Sequence, residues 1–411
     1  MIALISSITV ILLGPSYVIG DTESYYSAKE KILTGSFDHL RTPLYPVFLL
    51  ITYNWRITTF FQYLIFFVSI FYLYRTFKII KTSPRLIFIA MVIYVCHPAF
   101  MYYQNLGGTE ALCISLSSIF IYHLVTYIRN EKILNCWIFH IIILFLILLK
   151  PGCVFLLSIP VILLIYLFFT KRKLIVSYTL PFLLVLLFIG GYGLCIKKTY
   201  DIYSISSVSD INLYWMLRER NKINVDSIKN NDVKNFVSDK VDVKYENYAE
   251  YYAEADSIIN QYGWKELHSI VQSSLKNNHI PVLFDNSNIR KMQKNMYDPL
   301  GKSVFFCDSQ SIFSKFDNYF FFLTFYQLIL VLFFYFFLII KHIYIVRKIP
   351  IISVLFFSCV SVHLFSLILT APNDYGRLII PSLLVILIIC MQCLEWFVLF
   401  IQKKEKNFIL L

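Results

Sequence analysis

Three carboxylates stand at points of the chain where they could act on a hydroxyl group. Asp21 and Glu23 directly follow one apolar run, and Glu110 opens another. A carboxylate at the edge of a bilayer is partly desolvated, which can raise its basicity towards that of a general base. The competing interpretations are an N-cap for Asp21 and a first-turn acid that complements the helix dipole for Glu110. The pattern alone leaves both interpretations open.

Three cations could neutralise a phosphate group. Arg41 begins the segment Arg-Thr-Pro-Leu-Tyr-Pro, in which two prolines bracket Tyr45 and rigidify the chain beside the guanidinium. A guanidinium held in this way suits bidentate contact with a phosphate oxyanion. Lys150 precedes a predicted Pro-Gly turn, and Arg377 begins the last apolar run. Interfacial anchoring, or snorkelling of Lys150 to water, is the alternative role for these cations.

The amino-acid composition indicates that lipid surrounds most of this chain. Of 411 residues, 58% are hydrophobic and 15% charged, an apolar excess that a soluble protein could not bury. The net charge is +12, but the cations form short clusters between apolar runs instead of one basic face. We therefore expect contacts with membrane lipids and no nucleic-acid partner.

Apolar runs of about 20 residues predict an all-α polytopic membrane protein with about ten transmembrane helices. The predicted spans lie near 2–19, 58–77, 86–102, 109–128, 133–149, 152–170, 174–195, 318–340, 350–370 and 378–401. The first run lacks a basic start and a small-residue cleavage site, so it is interpreted as a retained span. The apolar stretch at 45–53 is too short to span and predicts an interfacial or re-entrant helix.

The basic residues predict the orientation of the chain. Fifteen Lys and Arg residues fall in one set of alternate connections and six in the other, so the first set is predicted to be cytoplasmic. The chain then divides into an N-terminal membrane module (1–195), whose first outer loop is 20–57, an extracytoplasmic domain (196–317) and a C-terminal membrane module (318–411). The clearest helices of the domain are predicted at Tyr245–Tyr262 and Trp264–Asn277, separated by Gly263.

The predicted topology places all the acids and cations named above at the outer membrane interface, although they come from distant parts of the chain. Acids for a hydroxyl and cations for a phosphate would then meet at one place. The eight histidines show no metal-ligand spacing, so no metal site is predicted. A phosphate-binding Gly-rich loop of the ATPase type is absent from the sequence, which argues against an ATP-driven machine.

Taken in order, these segments resemble the GT-C superfamily of membrane glycosyltransferases, in particular the family 39-like branch of protein mannosyltransferases and aminoarabinose transferases. The matching elements are Asp21-x-x-x-Tyr25, Arg41-Thr-Pro-Leu-Tyr-Pro46, Thr109-Glu110, Leu149-Lys150-Pro151 and Arg377-Leu-Ile-Ile-Pro381. The resemblance covers most of the membrane part and hardly any of the 196–317 domain.

The resemblance implies a GT-C-like helical bundle and an inverting transferase that uses a polyprenyl-phosphate sugar as donor. It implies that Asp21 deprotonates the acceptor hydroxyl, with Glu110 as a second acid and Glu23 as a further candidate. The implied substrate-binding residues are Tyr25, Arg41, Tyr45, Lys150 and Arg377. The acceptor could be a glycan, a lipid or a protein, and a divalent cation stays open as a cofactor. The implied location is the bacterial cytoplasmic membrane, with the active site facing outward.

Two other functions are compatible with many spans and a large outer loop. An O-antigen-type polysaccharide polymerase would depend on arginines of its outer loops and not on an acid after the first span. A lipid or glycan flippase would carry polar residues in the middle of its spans, whereas the spans here are almost purely aliphatic and aromatic.

Overall fold

The apolar runs form helices because a backbone in lipid must satisfy its own N–H and C=O groups. The computed structural model describes residues 20–96, 103–104, 107–243, 245, 248–278, 325–370, 379–402 and 410, and every regular element within these ranges is helical. The α-helices are α1 (Gly20–Leu33), α2 (Leu44–Thr52), α3 (Trp55–Ile79), α4 (Pro84–Cys96), α5 (Glu110–Asn130), α6 (Ile133–Leu149), α7 (Ser158–Thr170), α8 (Ile175–Tyr200), α9 (Val208–Glu219), α10 (Asn231–Ser238), α11 (Tyr248–Tyr262), α12 (Trp264–Asn278), α13 (Phe325–Val346), α14 (Ile351–Thr370) and α15 (Leu383–Ile401). Short 3₁₀ helices cover Pro151–Leu157, Arg172–Leu174, Val225–Ser227 and Ile380–Ser382.

Six helical stretches of the described residues are long and apolar enough to cross a membrane. They are Trp55–Ile79, Glu110–Asn130, Pro151–Thr170, Arg172–Tyr200, Gln327–Val346 and Ile380–Ile401. Shorter apolar helices cover Pro84–Val95, Ile133–Leu149 and Ile351–Leu367. The predicted all-helical fold and membrane character are confirmed. The count of ten spans stays a prediction, because the predicted first span at 2–19 lies outside the described residues.

Large apolar side chains cover the outer faces of these helices. Phe333 on α13 is 72% exposed and Leu187 on α8 is 67% exposed, and both have exposed apolar neighbours. A soluble protein rarely exposes apolar surface on this scale. Lipid is therefore the solvent that suits these faces.

Helix α5 lies at the centre of the bundle. Of its most apolar stretch 78% is buried, against 22–44% in the other five long spans. Helices α3, α6 and α15 pack against it. On α5, Ser118 donates a hydrogen bond of 2.7 Å to the backbone oxygen of Ser69 on α3, and Tyr122 packs edge-to-face on Tyr72. The first turn of α5, from Glu110 to Cys113, is therefore enclosed by neighbouring elements.

The basic connections meet at one end of the bundle. Glu131, after α5, forms an ion pair with Lys171, after α7. The Glu395 carboxylate of α15 accepts a 2.9 Å hydrogen bond from the backbone N–H of Ser83, which precedes α4. Both contacts lie at the end opposite to Glu110, the first residue of α5. The assignment of this end to the cytoplasm stays a prediction.

A second hydrophobic core is built by α9 to α12 and the last turns of α8. Its buried members include Tyr214, Val233, Ile258, Trp264 and Leu267. The two helices predicted in this region are present as α11 and α12, and Gly263 between them has a φ of +96°, which only glycine adopts easily. Helix α8 continues without a break to Tyr200. Its first part belongs to the membrane module, and its last turns pack in the second core.

The second core contains one fully buried ion pair. The Arg218 guanidinium donates to Glu254 at 3.1 Å and to the backbone oxygens of Val241 and Val243 at 2.7 and 3.3 Å. The Tyr214 hydroxyl donates to the same carboxylate at 2.6 Å. Both charged side chains are at most 1% exposed, so these hydrogen bonds replace part of the water that the charges lose, while Glu254 Oε2 has no hydrogen-bond partner among the described residues.

Candidate functional site

The first turn of α1 lies against the start of α5. The Thr22 hydroxyl donates a 3.0 Å hydrogen bond to the backbone oxygen of Gly107, three residues before Glu110. A side chain at position 107 would come within 2.6 Å of Thr22 and 2.8 Å of Trp55, so this close approach requires glycine. Asp21 precedes Thr22 in the same turn; its side chain lies outside the described part of the structure.

The start of α5 carries a buried ion pair. Lys150 Nζ donates to Glu110 Oε1 at 3.0 Å, and the two side chains are 10% and 4% exposed. The pair forms because Glu110 opens α5 and Lys150 directly follows α6, so the antiparallel packing of these helices brings the two residues together. In a weakly polar environment each buried charge compensates the other.

The Arg41 segment packs on α1 through aromatic rings. The guanidinium of Arg41 donates to the Ser24 hydroxyl at 2.7 Å and lies 4.5 Å from the centre of the Tyr25 ring. The Tyr25 ring in turn meets Tyr45 of α2 edge-to-face, with ring centres 4.8 Å apart. A cation over an aromatic face is attracted by the quadrupole of the ring. Arg41 is thus held at a defined place.

Tyr45 connects this aromatic group to the membrane helices. Its ring is fully buried, and its hydroxyl donates to Gln62 of α3 at 3.2 Å. Burial, together with the nearby Tyr25 and Glu110, raises the pKa of Tyr45 well above its ordinary value. Tyr45 therefore stays neutral and acts as a hydrogen-bond donor at physiological pH.

Asp38 shapes the loop that carries Arg41. Its carboxylate accepts the backbone N–H groups of Leu40 and Arg41 at 2.7 and 2.8 Å and the Lys31 ammonium at 2.6 Å. Burial would raise the pKa of Asp38, but the hydrogen bond and charge of Lys31, with the Arg41 N–H bond, outweigh it and hold the pKa below its ordinary value. The carboxylate thus stays ionised and keeps the loop in one conformation.

The same loop is docked on the second core. The backbone oxygen of His39 accepts the N–H of Ser207 at 2.7 Å, and the His39 ring hydrogen-bonds the Ser207 hydroxyl at 2.8 Å. Ser206 donates to the backbone oxygen of Leu40 at 2.7 Å, and Tyr200 donates to that of Phe37 at 2.8 Å. No local pattern in the sequence marked these residues as part of a site.

Acidification is expected to loosen this docking. Burial lowers the pKa of His39, and the Asp38 and Asp256 carboxylates oppose this only in part, while Lys31 adds to it. Because the folded pKa lies below the unfolded one, the stabilisation is complete above about pH 6.5 and is lost as the pH falls through the folded value. Hydrogen exchange at the amides of Leu40 and Arg41, corrected for intrinsic rates, should accelerate over this range.

A His39→Gln variant provides the control for this pH dependence. Glutamine keeps a hydrogen-bonding side chain but does not titrate, so exchange in the loop should become nearly independent of pH in the same range. Loss of the Asp38 anchor follows only at more acidic pH, because the pKa of that carboxyl is held below its ordinary value. An unchanged pH response in the variant would exclude His39 as the titrating group.

The structure thus gathers five of the eight predicted site residues at one end of the bundle. They are Tyr25, Arg41, Tyr45, Glu110 and Lys150. Glu23 lies on α1 with an exposed side chain, and Arg377 lies outside the described residues. The sequence does contain a signal for the Glu110–Lys150 pair, because the two residues place opposite charges at the adjoining ends of two consecutive helices.

Metal ligation and known relatives add no further assignment. Among the described residues, no group of three or more His, Cys, Asp or Glu side chains could hold a metal ion. No family model, curated protein or solved structure matches the chain. The fold and the site therefore define an integral membrane protein with a charged and aromatic cluster at one end of an all-helical bundle.

Proposed function

We propose that this protein is a GT-C-type glycosyltransferase, which moves a sugar from a polyprenyl-phosphate donor to an acceptor hydroxyl on the outer face of the membrane. The observation that carries the proposal is the Thr22–Gly107 hydrogen bond, because it brings the turn that contains Asp21 to the start of α5, where Glu110 lies. The order of the motifs, which resembles that of the GT-C superfamily, supports the same function.

In the proposed reaction Asp21 accepts the proton of the acceptor hydroxyl. The hydroxyl oxygen attacks the anomeric carbon from the side opposite to the phosphate, the bond from that carbon to the phosphate oxygen breaks, and polyprenyl phosphate leaves with its negative charge. The configuration at the anomeric carbon is inverted. Arg41 and Arg377 stabilise the charge that develops on the phosphate.

The Glu110–Lys150 pair gives each partner a role in this scheme. Lys150 balances the buried negative charge of Glu110 and places a cation at the start of α5, where the phosphate of the donor would lie. Glu110 contributes negative charge beside the first turn of α1, which favours protonation of a nearby base and so increases its basicity. Arg41 is held beside this turn by its hydrogen bond to the Ser24 hydroxyl and by its contact with the Tyr25 ring.

The basic connections at the opposite end support an outward-facing site in a bacterial cytoplasmic membrane. In this orientation the second core is extracytoplasmic and lies beside the acceptor. Its contacts with the Arg41 loop support a role in acceptor selection, because a change in the second core would reach the loop through Ser206 and Ser207.

A transfer assay tests the proposal. Purified protein in liposomes is supplied with labelled polyprenyl-phosphate sugars and with glycan, lipid and peptide acceptors. We expect the wild type to transfer label, and the Asp21→Asn variant to transfer at least about 100-fold more slowly. Glu30→Gln is the matched control, because it makes the same change at an exposed position of the same helix. Full activity of Asp21→Asn would remove the assignment of the base.

A further inference from the structure

Four side chains beside the candidate site carry buried polar atoms that make no hydrogen bond within the described part of the chain; three of the side chains are buried and Trp55 is half-buried. Within the described part of the chain, both amide atoms of Gln104, the indole N–H of Trp55 and the hydroxyls of Thr59 and Thr109 have no hydrogen-bond partner. Gln104 is fully buried, Thr109 is 1% exposed and Thr59 is 6% exposed. Buried polar groups nearly always form hydrogen bonds in folded proteins. Several neighbouring groups without a partner therefore indicate a place where a ligand could supply the hydrogen bonds.

The four residues, which we name the polar cluster, are brought together by α3 and the segment that precedes α5. Trp55 and Thr59 are one turn apart on α3, and Gln62 follows on the same face. Gln62 donates a 2.8 Å hydrogen bond to the backbone oxygen of Gln104, which fixes Gln104 against that face. Trp55 also reaches position 107, two residues before Thr109.

The chemistry of the polar cluster fits a neutral ligand. The Gln104 amide and the two threonine hydroxyls can each donate and accept hydrogen bonds, and the Trp55 indole N–H can donate one. Sugar hydroxyls have the same dual character, whereas a phosphate or carboxylate only accepts at neutral pH and needs a cation. None of the four side chains is charged, and the neighbouring Lys150 is already paired with Glu110.

We propose that Trp55, Thr59, Gln104 and Thr109 form a subsite for an uncharged, polyhydroxylated sugar ring. This inference rests on the proposed function, because it supplies the place at which the sugar of the donor or of a glycan acceptor is held. It also narrows the substrate class to neutral sugars. Since the polar atoms of the four side chains are buried, binding requires these side chains to separate.

Lipid-binding measurements on the full chain in nanodiscs test the subsite and separate the two sources of the sugar. The probes are bare polyprenyl phosphate, the same lipid bearing a neutral hexose or a hexuronic acid, and a soluble alkyl glycoside. If the subsite holds the donor sugar, we expect the wild type to bind the neutral-hexose lipid at least about tenfold more tightly than the hexuronic acid lipid or bare polyprenyl phosphate. If it holds the acceptor sugar, we expect the same advantage for the alkyl glycoside over bare polyprenyl phosphate. Preference for the lipid identifies a donor subsite, and preference confined to the glycoside identifies an acceptor subsite.

Gln104→Leu should reduce this preference to within about twofold of the bare lipid, because leucine fills a similar volume without polar atoms. Its melting temperature without ligand should not fall, since the amide has no partner to lose. Thr126→Val is the matched control: its hydroxyl is also buried without a partner, but it lies near the other end of α5, so its removal should leave binding unchanged.

Three outcomes would overturn the subsite: a wild type that binds every probe equally, a Gln104→Leu variant that keeps the preference, or one that melts far below the wild type. Failure of the proposed function has a different signature. A wild type that prefers the neutral-sugar probe, loses the preference in Gln104→Leu and yet transfers no sugar would keep the subsite and reject the transferase.

Discussion

The Lys150→Met variant is expected to unfold with a free energy about 3–5 kcal/mol lower than that of the wild type. Methionine matches the length of the lysine side chain but removes its charge, which leaves the Glu110 carboxylate, 4% exposed, without its ammonium partner. Loss of a charged partner destabilises a buried carboxylate because water cannot take the place of that partner. Chemical denaturation in mixed micelles, followed by the fluorescence of the native tryptophans, measures the change.

Two further variants separate the charge effect from a packing effect. In the double variant Lys150→Met with Glu110→Gln the uncompensated charge is gone, so most of the lost stability should return. Lys171→Met breaks the exposed pair with Glu131, whose side chain is 43% exposed, and should cost less than about 1 kcal/mol. A single Lys150→Met variant that is no less stable than Lys171→Met would show that the Glu110 charge is not enclosed.

The Arg218→Met variant is expected to destabilise the second core by a similar amount, about 3–5 kcal/mol. The change leaves the Glu254 carboxylate without its guanidinium and deprives the backbone oxygens of Val241 and Val243 of their donor. The Glu254 side chain is 1% exposed, so hydration cannot replace its lost partner, whereas Val243 is 44% exposed and its backbone oxygen contributes less to the loss. Limited proteolysis and hydrogen exchange within α9 and α11 measure the effect on this core.

Lys234→Met is the control for Arg218→Met. It breaks an ion pair with Asp226 at 3.4 Å in which the aspartate is 97% exposed, so the expected change is small. Because the Arg41 loop is docked on the second core through Ser206 and Ser207, Arg218→Met should also increase exchange in that loop. If the core loosens while the loop stays fully protected, the proposed coupling between them is wrong.

The sequence was sufficient for features that depend on local composition. The apolar runs of α3, α5, α6 and α8 were recognised because a span needs about 20 apolar residues, wherever its neighbours lie. The helix pair α11 and α12 was predicted with nearly the observed bounds, since both show helical periodicity and Gly263 interrupts them. The same local features singled out Arg41, Tyr45 and Glu110 as residues with possible chemistry.

The tertiary structure alone decided which of these residues meet. Three contacts of the site join positions that are 16 to 168 residues apart in the sequence. They are the Glu110–Lys150 ion pair, the packing of Arg41 on the Tyr25 ring and the hydrogen bond between His39 and Ser207. Such contacts depend on how helix ends register against one another, and register follows from packing along whole helices, which a local pattern does not encode. For the same reason the sequence showed Gln104 only as one polar residue in a loop. Its burial beside Trp55 and Thr59 follows from the packing of α3 against the start of α5.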